Sequence, residues 1–378
     1  MSDRLIATYR IRATAATTGA TIAARAAAIA VEQSVEMPLA AIDAPRILAE
    51  VVGRVEDIAD RGGGVFDARI ALAAETVGAT ETVGADAGQL LNMLFGNTSL
   101  HPDVTLVGIA LPDALAAAFG GPRHGIAGLR ARLGADGRAL TGSALKPQGL
   151  PAAALADLAE RFARGGIDLV KDDHGLADQR AAPFAERVPA IARAVRRAAA
   201  ATGHPTRYAP SLSGHYGQMH AQLVLARDEG VDTVLIAPMI AGFSTMQALV
   251  GAFPDIAFLA HPAMGGAARI APEVLIGTLF PLLGADAVVF PTHGGRFGSS
   301  AETCRRLAEA ARHPGHCARP ALPVPAGGMT LERVPELLDF YGPDTMLLIG
   351  GSLLSAGAAL TEATARFVAA VAGHISHR

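Results

Sequence analysis

The chain has 378 residues, 51% of them hydrophobic, with 32 Lys and Arg against 35 Asp and Glu for a formal net charge of -3. That length favours two domains with ample core material, and the near-balanced charge leaves no electrostatic footprint for DNA, RNA or an anionic membrane. The opening Met1-Ser2-Asp3-Arg4-Leu5 lacks signal-peptide order, and the Ala-rich runs are broken by Arg, Glu or Asp before reaching membrane-spanning length, which predicts a cytoplasmic protein. Cys304 and Cys317, in no metal-type spacing, are expected to be reduced.

In chain order, a strand is predicted over Arg4 to Ala13 and an Ala-rich helix over Thr21 to Ser34. Strands follow at Ile47 to Val55 and Val65 to Leu72, then a helix at Ala85 to Leu94 and a strand at Val104 to Leu111. This order predicts an α+β sandwich. Short helical segments joined by Gly120-Gly121-Pro122 then run from Pro112 to Leu133 and read as the connection between domains.

Beyond that point eight apolar runs alternate with amphipathic stretches such as Ala152 to Arg164, Phe184 to Ala201 and Leu331 to Leu338. The runs lie near Leu140 to Lys146, Asp168 to Asp172, Arg207 to Leu212, Thr233 to Pro238, Ala257 to His261, Ala287 to Pro291, Ala321 to Pro325 and Met346 to Ile349. Eight units in this length fit a (β/α)8 barrel, with a doubly wound open sheet as the alternative. The expected division is an N-terminal α+β domain over 1–133 and a barrel over 134–378.

In such a barrel, function sits where strands run into the following loops. The second barrel strand leads into Lys171-Asp172-Asp173-His174. Side chains alternate along a strand, so Leu169, Lys171 and Asp173 share one face and Val170 and Asp172 the other. Lys171, Asp173 and His174 then form a compact nitrogen and oxygen set fit for a hard cation, or else a surface salt bridge at a strand end.

Lys146, the single charge between Leu140 and Leu150, is a candidate proton carrier whose pKa burial would lower, or a lysine reaching out to solvent. His261 reads as a substrate ligand or general acid/base, or as a structural histidine. Gly327-Gly328 and Gly350-Gly351 follow strands seven and eight, where (β/α)8 barrels commonly bind phosphate on backbone N–H groups. Tight turns are the plainer account of either pair alone.

Taken in order, Lys146-Pro147, Gly165-Gly166-Ile167-Asp168 leading into Lys171-Asp172-Asp173, His261 before Ala263-Met264, and the two late glycine pairs resemble the ribulose-bisphosphate carboxylase (RuBisCO) superfamily. The resemblance spans roughly Glu32 to Ser352. It implies a ferredoxin-like N-terminal domain, a C-terminal TIM barrel, and a homodimer or higher homo-oligomer in which Glu32 and Asn97 complete the partner's active site. It also implies that Lys171 is carboxylated on its side-chain nitrogen by carbon dioxide and then binds Mg²⁺ with Asp173. His174 stands where the family usually has glutamate, and imidazole is the softer ligand.

Other departures point away from carbon fixation. Gln148-Gly149 follows Lys146-Pro147 where the family carries a second lysine, and Pro262 replaces the phosphate-gripping arginine beside the barrel histidine. Thr292-His293-Gly294-Gly295-Arg296-Phe297 occupies the loop that holds the carboxylases' catalytic lysine, with Arg296 as a partial replacement for its charge. The resemblance is therefore to the RuBisCO-like, form IV branch, acting through an enediolate on a singly phosphorylated sugar derivative.

The Lys-Asp-Asp-His-Gly-Leu and Lys-Pro-Gln-Gly-Leu motifs resemble the sugar-acid branch of these proteins more than the methylthio branch, which implies decarboxylation of a 3-oxo sugar-acid phosphate of the 3-oxo-isoapionate 4-phosphate type, with Lys146 or His293 supplying the proton. The alternatives are an enolase or isomerase acting on a methylthio ketose phosphate, and a non-catalytic regulatory member.

Overall fold

The computed structural model describes residues 3–13, 19–78, 84–313 and 319–374. Cys317 lies outside the described residues, and Cys304 is a buried free thiol. Strands β1 (Arg4–Arg12), β2 (Arg54–Gly62), β3 (Val65–Ala73) and β4 (Val104–Ala110) form an antiparallel sheet in the order β2-β3-β1-β4, with helices Gly19–Glu32 and Ala87–Phe95 in the connections. This is the expected ferredoxin-like βαββαβ order.

The strand expected over Ile47 to Val55 is displaced. Ile47–Val51 forms a π-helical turn, and β2 begins at Arg54. Its sequence, RVEDIADRG, is charged because β2 is an edge strand with β3 as its one neighbour and a largely exposed surface. The Val51-Val52 pair before it is what reads as β-forming in the sequence.

Eight parallel strands build the second unit: β5 (Leu140–Leu145), β6 (Leu169–Asp172), β7 (Arg207–Ala209), β8 (Thr233–Ile236), β9 (Ala257–Ala260), β10 (Ala287–Pro291), β11 (Leu322–Ala326) and β12 (Met346–Leu348). Their order β7-β6-β5-β12-β11-β10-β9-β8 closes through the Ser211 to Leu235 bridge. All eight predicted runs are barrel strands.

The barrel interior is packed by Leu140, Leu169, Leu235, Leu259, Val289 and Val324 together with Ile126, Leu129 and Leu133 from helix Gly125–Leu133. That helix plugs the N-terminal end of the barrel. Asp286 holds its start by accepting from the His124 and Gly125 N–H groups, at 2.7 and 2.8 Å. The expected 133/134 division falls at the end of this helix, whose packing is with the barrel.

The two units meet along β4. The Leu106 N–H donates to Arg269 O at 3.0 Å and the Ala271 N–H to Leu106 O at 2.9 Å, so the sheet edge pairs with the segment that follows β9. Gln247 adds a side-chain clamp, accepting from Ala87 N–H and donating to Ala85 O. Among the described residues no helix is long and apolar enough to cross a membrane.

The second barrel strand is anchored at its base by Asp168. Its carboxylate receives both Arg138 guanidinium nitrogens at 2.6 and 2.7 Å and the Thr141 N–H at 2.8 Å. Burial pushes this carboxyl up, but Arg138, His204 and the Thr141 N–H outweigh it and hold the pKa at about 2, below the ordinary 3.8. A depressed carboxyl contributes stability above its unfolded value and loses it as pH falls through the folded one. The difference amounts to about 2 kcal/mol. Asp168→Asn should therefore flatten the acid limb of a stability-versus-pH curve between about pH 4 and 2; an unchanged slope in denaturant melts would refute this anchoring role.

Candidate active site

The C-terminal end of the barrel opens into a cavity of about 960 Å³ lined by Lys146, Lys171, Asp173, His174 and His261, and also by Arg296, Gly327, Gly328, Gly350 and Gly351. The sequence scattered these residues over two hundred positions. Parallel strands bring them together because each strand delivers its last side chains to the same rim.

Alternation along β6 sets the polarity of the site. Leu169 lies in the barrel interior, and Lys171 and Asp173 face the cavity above it. Asp172 points the other way, where it accepts from Arg187 Nε at 3.1 Å, Tyr208 OH at 2.8 Å and the Ser211 N–H at 3.0 Å. Asp172 and Arg187 are both fully buried, so this pair is structural.

Lys171 is only 3% exposed, and its ammonium donates to Asp172 O at 2.9 Å. Burial lowers its pKa to about 8, with Lys146 pushing the same way and Asp173 opposing. Lys146 lies 3.2 Å from Asp173 Oδ1 with a third of its side chain exposed. Burial also pushes the Asp173 carboxyl up, but Lys171 and Lys146 outweigh it and hold it below its ordinary value.

His174 and His261 stack face to face, with ring centroids 4.3 Å apart and planes within 8°. His174 Nδ1 sits 3.5 Å from Asp173 Oδ1. His261 Nδ1 accepts from the Ala263 N–H at 3.1 Å, which leaves Nε2 to carry the proton. Burial, Lys171 and His174 lower its pKa to about 3, so His261 is a neutral hydrogen-bond donor at physiological pH.

Gly327 and Gly328 have φ of +82° and +73°, a conformation that glycine adopts freely. A Cβ on Gly328 would lie 2.7 Å from Gly295 Cα, so these two turns need bare backbone to approach one another. Gly350 and Gly351 open helix Gly351–Leu354 on the same rim.

His293 is placed elsewhere. Its Nε2 contacts Glu336 Oε1 at 3.0 Å and its ring packs 4.3 Å from Phe340, outside the cavity lining. A strand-end position was legible in the sequence, but the direction of the side chain was not. Glu32 and Asn97 are likewise not part of this subunit's cavity lining, yet lie close to each other: Asn97 Nδ2 donates to Glu32 Oε1 and Glu36 Oε1, both at 2.8 Å.

Sequence reasoning missed the apolar half of the lining, which includes Met264, Leu275, Ile276, Phe297 and Met329. These residues sit in loops and irregular helices, where no periodicity marks a facing side.

Comparison with known proteins fits this geometry. The family model for the ribulose bisphosphate carboxylase large chain, catalytic domain, matches residues 125–299. The 5-methylthioribulose-1-phosphate isomerase of Rhodospirillum rubrum is 59% identical over 377 residues, covering 100% of this chain and 98% of the relative. Ribulose bisphosphate carboxylase-like protein 1 of Rhodopseudomonas palustris is 56% identical, covering 99% of each. The crystal structure of a Rubisco-like protein from Rhodopseudomonas palustris superposes with a TM-score of 0.90 at 50% identity, covering 100% of both chains. Taken with the barrel, its plugged base and the residues gathered at its rim, these likenesses establish that the chain belongs to the RuBisCO-like proteins of the ribulose-bisphosphate carboxylase large-chain family.

Proposed function

We propose that this protein isomerises a 5-methylthio ketopentose 1-phosphate by proton transfer through an enediolate. The observation that carries the reading is the full-length 59% identity to a 5-methylthioribulose-1-phosphate isomerase. It outweighs the two short motifs that favoured decarboxylation of a sugar-acid phosphate. The cavity supports the same choice, since buried Leu275 and Ile276 offer an apolar wall suited to a thioether.

The donor set fits Mg²⁺ once Lys171 is carboxylated. Asp173 and His174 supply two ligands, and among the described residues no group of three His, Cys, Asp or Glu side chains is placed to hold a metal. Lys171 provides the third donor if its amine takes up carbon dioxide, a reaction that requires the neutral amine favoured by its burial. When bound, Mg²⁺ supplies positive charge to the oxygens on which an enediolate develops its negative charge.

The remaining roles belong to side chains and backbone of this chain. Lys146, acting as the neutral amine, takes the proton from the carbinol carbon next to the carbonyl and returns it to the former carbonyl carbon, while the hydroxyl proton passes from the first carbon's oxygen to that of the second. The Nε2–H of His261 donates to a substrate oxygen, held in direction by the Ala263 N–H on Nδ1. Backbone N–H groups of Gly327, Gly328, Gly350 and Gly351 hold the phosphate, with Arg296 adding charge. Glu32 and Asn97 serve the site of a second copy in a homodimer.

Phosphorus NMR of the protein with 5-methylthioribulose 1-phosphate, Mg²⁺ and bicarbonate should show conversion to an isomeric phosphate without release of carbon dioxide. Carbon dioxide release from a 3-oxo sugar-acid phosphate, with no change in the methylthio substrate, would reverse the choice. Lys171→Ala should lower turnover by at least about a thousandfold while the protein remains folded; retained turnover would remove the modified-lysine role. Mixing Asn97→Ala with Lys171→Ala subunits should restore about a quarter of wild-type activity, because half of the resulting dimers carry one intact site. No recovery in dimers shown to contain both variants would refute the shared site.

A further inference from the structure

Two large apolar side chains at the cavity rim stand out. Met264 is 60% exposed and Phe297 61% exposed, and both line the cavity. Neither is needed to fill a core. Met264 also sits at φ +65°, and among the described residues it shares a positive φ without being glycine with Glu36 alone. An unbranched L-residue in the left-handed region carries backbone strain that glycine would avoid, and such strain persists where a side chain is wanted for another reason.

The surroundings of these two residues define what they can meet. Met264 lies two residues after Pro262, which presents no charge to the cavity, and precedes Gly265, against which Leu275 packs. Phe297 lies with its ring edge against Gly327, since a Cβ there would meet Phe297 Cε2 at 3.4 Å. On its other side Arg296 places its guanidinium 4.8 Å from the Phe297 ring centre. Gly327 thus takes one edge of the ring and the guanidinium one face, and the rest of the ring stands open to the cavity.

We propose that Met264 and Phe297 form a clamp for the thioether end of the substrate and determine its specificity. This rests on the isomerase reading above and names the residues that select the substrate's sulfur-bearing end. A methylthio group is apolar and polarisable, and both an aromatic edge and a second thioether make favourable contact with it. A hydroxyl in its place would lose its water without gaining a partner.

The strain at Met264 supplies a clean variant. Met264→Gly removes the side chain and relaxes the backbone, so its melting temperature should be no lower than that of the wild type. Its KM for the methylthio ketose phosphate should rise about tenfold, with the loss carried by KM rather than kcat. The preference for that substrate over the analogue bearing a hydroxyl in place of the methylthio group should shrink by a similar factor. Phe297→Ser should behave alike, and Phe297→Leu should recover most of the preference.

Calorimetric binding of both compounds to the intact bicarbonate- and Mg²⁺-treated protein separates the two levels of inference. Tighter binding of the methylthio compound without turnover would overturn the isomerase reading and keep the clamp. Equal binding of the two compounds by the wild-type protein, or an undiminished preference in Met264→Gly and Phe297→Ser, would overturn the clamp.

Discussion

Everything at the rim depends on the opposed directions of Lys171 and Asp172. A fully buried Arg187 from helix Phe184–Thr202 holds Asp172 on the outside of the barrel, with Tyr208 and the Ser211 N–H completing the carboxylate's shell. Arg187 also donates to the carbonyls of Ala177 and Ala182, so the same guanidinium shapes the loop beyond Asp173. A one-residue slip would exchange the faces and turn Asp172 inward. Leaving a buried charge without its partner typically costs about 3–5 kcal/mol, which makes that slip expensive.

With the register set, the chemistry follows from contrast between neighbours. Lys171 is buried and its pKa is lowered, while Lys146 keeps a third of its side chain exposed and lies beside the Asp173 carboxylate. His261 is kept neutral and aimed by a backbone N–H, and His174 is held parallel to it by stacking. The same cavity is lined by the apolar Leu275 and Ile276 and by bare glycine turns. This division suits a ligand with one anionic end and one greasy end.

The barrel was readable because strands covered on both faces must be continuously apolar, as in Ala287-Val288-Val289-Phe290. Edge strand β2 was misplaced because Val55 and Ile58 alone of its residues pack against the core, and the charges around them look like a loop. Lys171, Asp173, His174 and the glycine pairs were legible from strand-end position alone, since that position fixes proximity in a parallel barrel. His293 shared that position and still turned toward Glu336, for nothing in the local sequence reveals the helix that will offer it a carboxylate. Met264 and Phe297 lay within motifs that were read for their histidine and arginine. Their exposure is a property of three-dimensional packing that no spacing encodes.

The main-chain pairing of Leu106 with Arg269 and Ala271 has a mechanical meaning. It stitches the small sheet to the same stretch of polypeptide that bears Met264, leaving little slack between the two. A tilt of the small sheet against the barrel would load these two peptide hydrogen bonds first. Displacement of the small sheet is thereby opposed by main-chain hydrogen bonds only a few residues from the cavity lining.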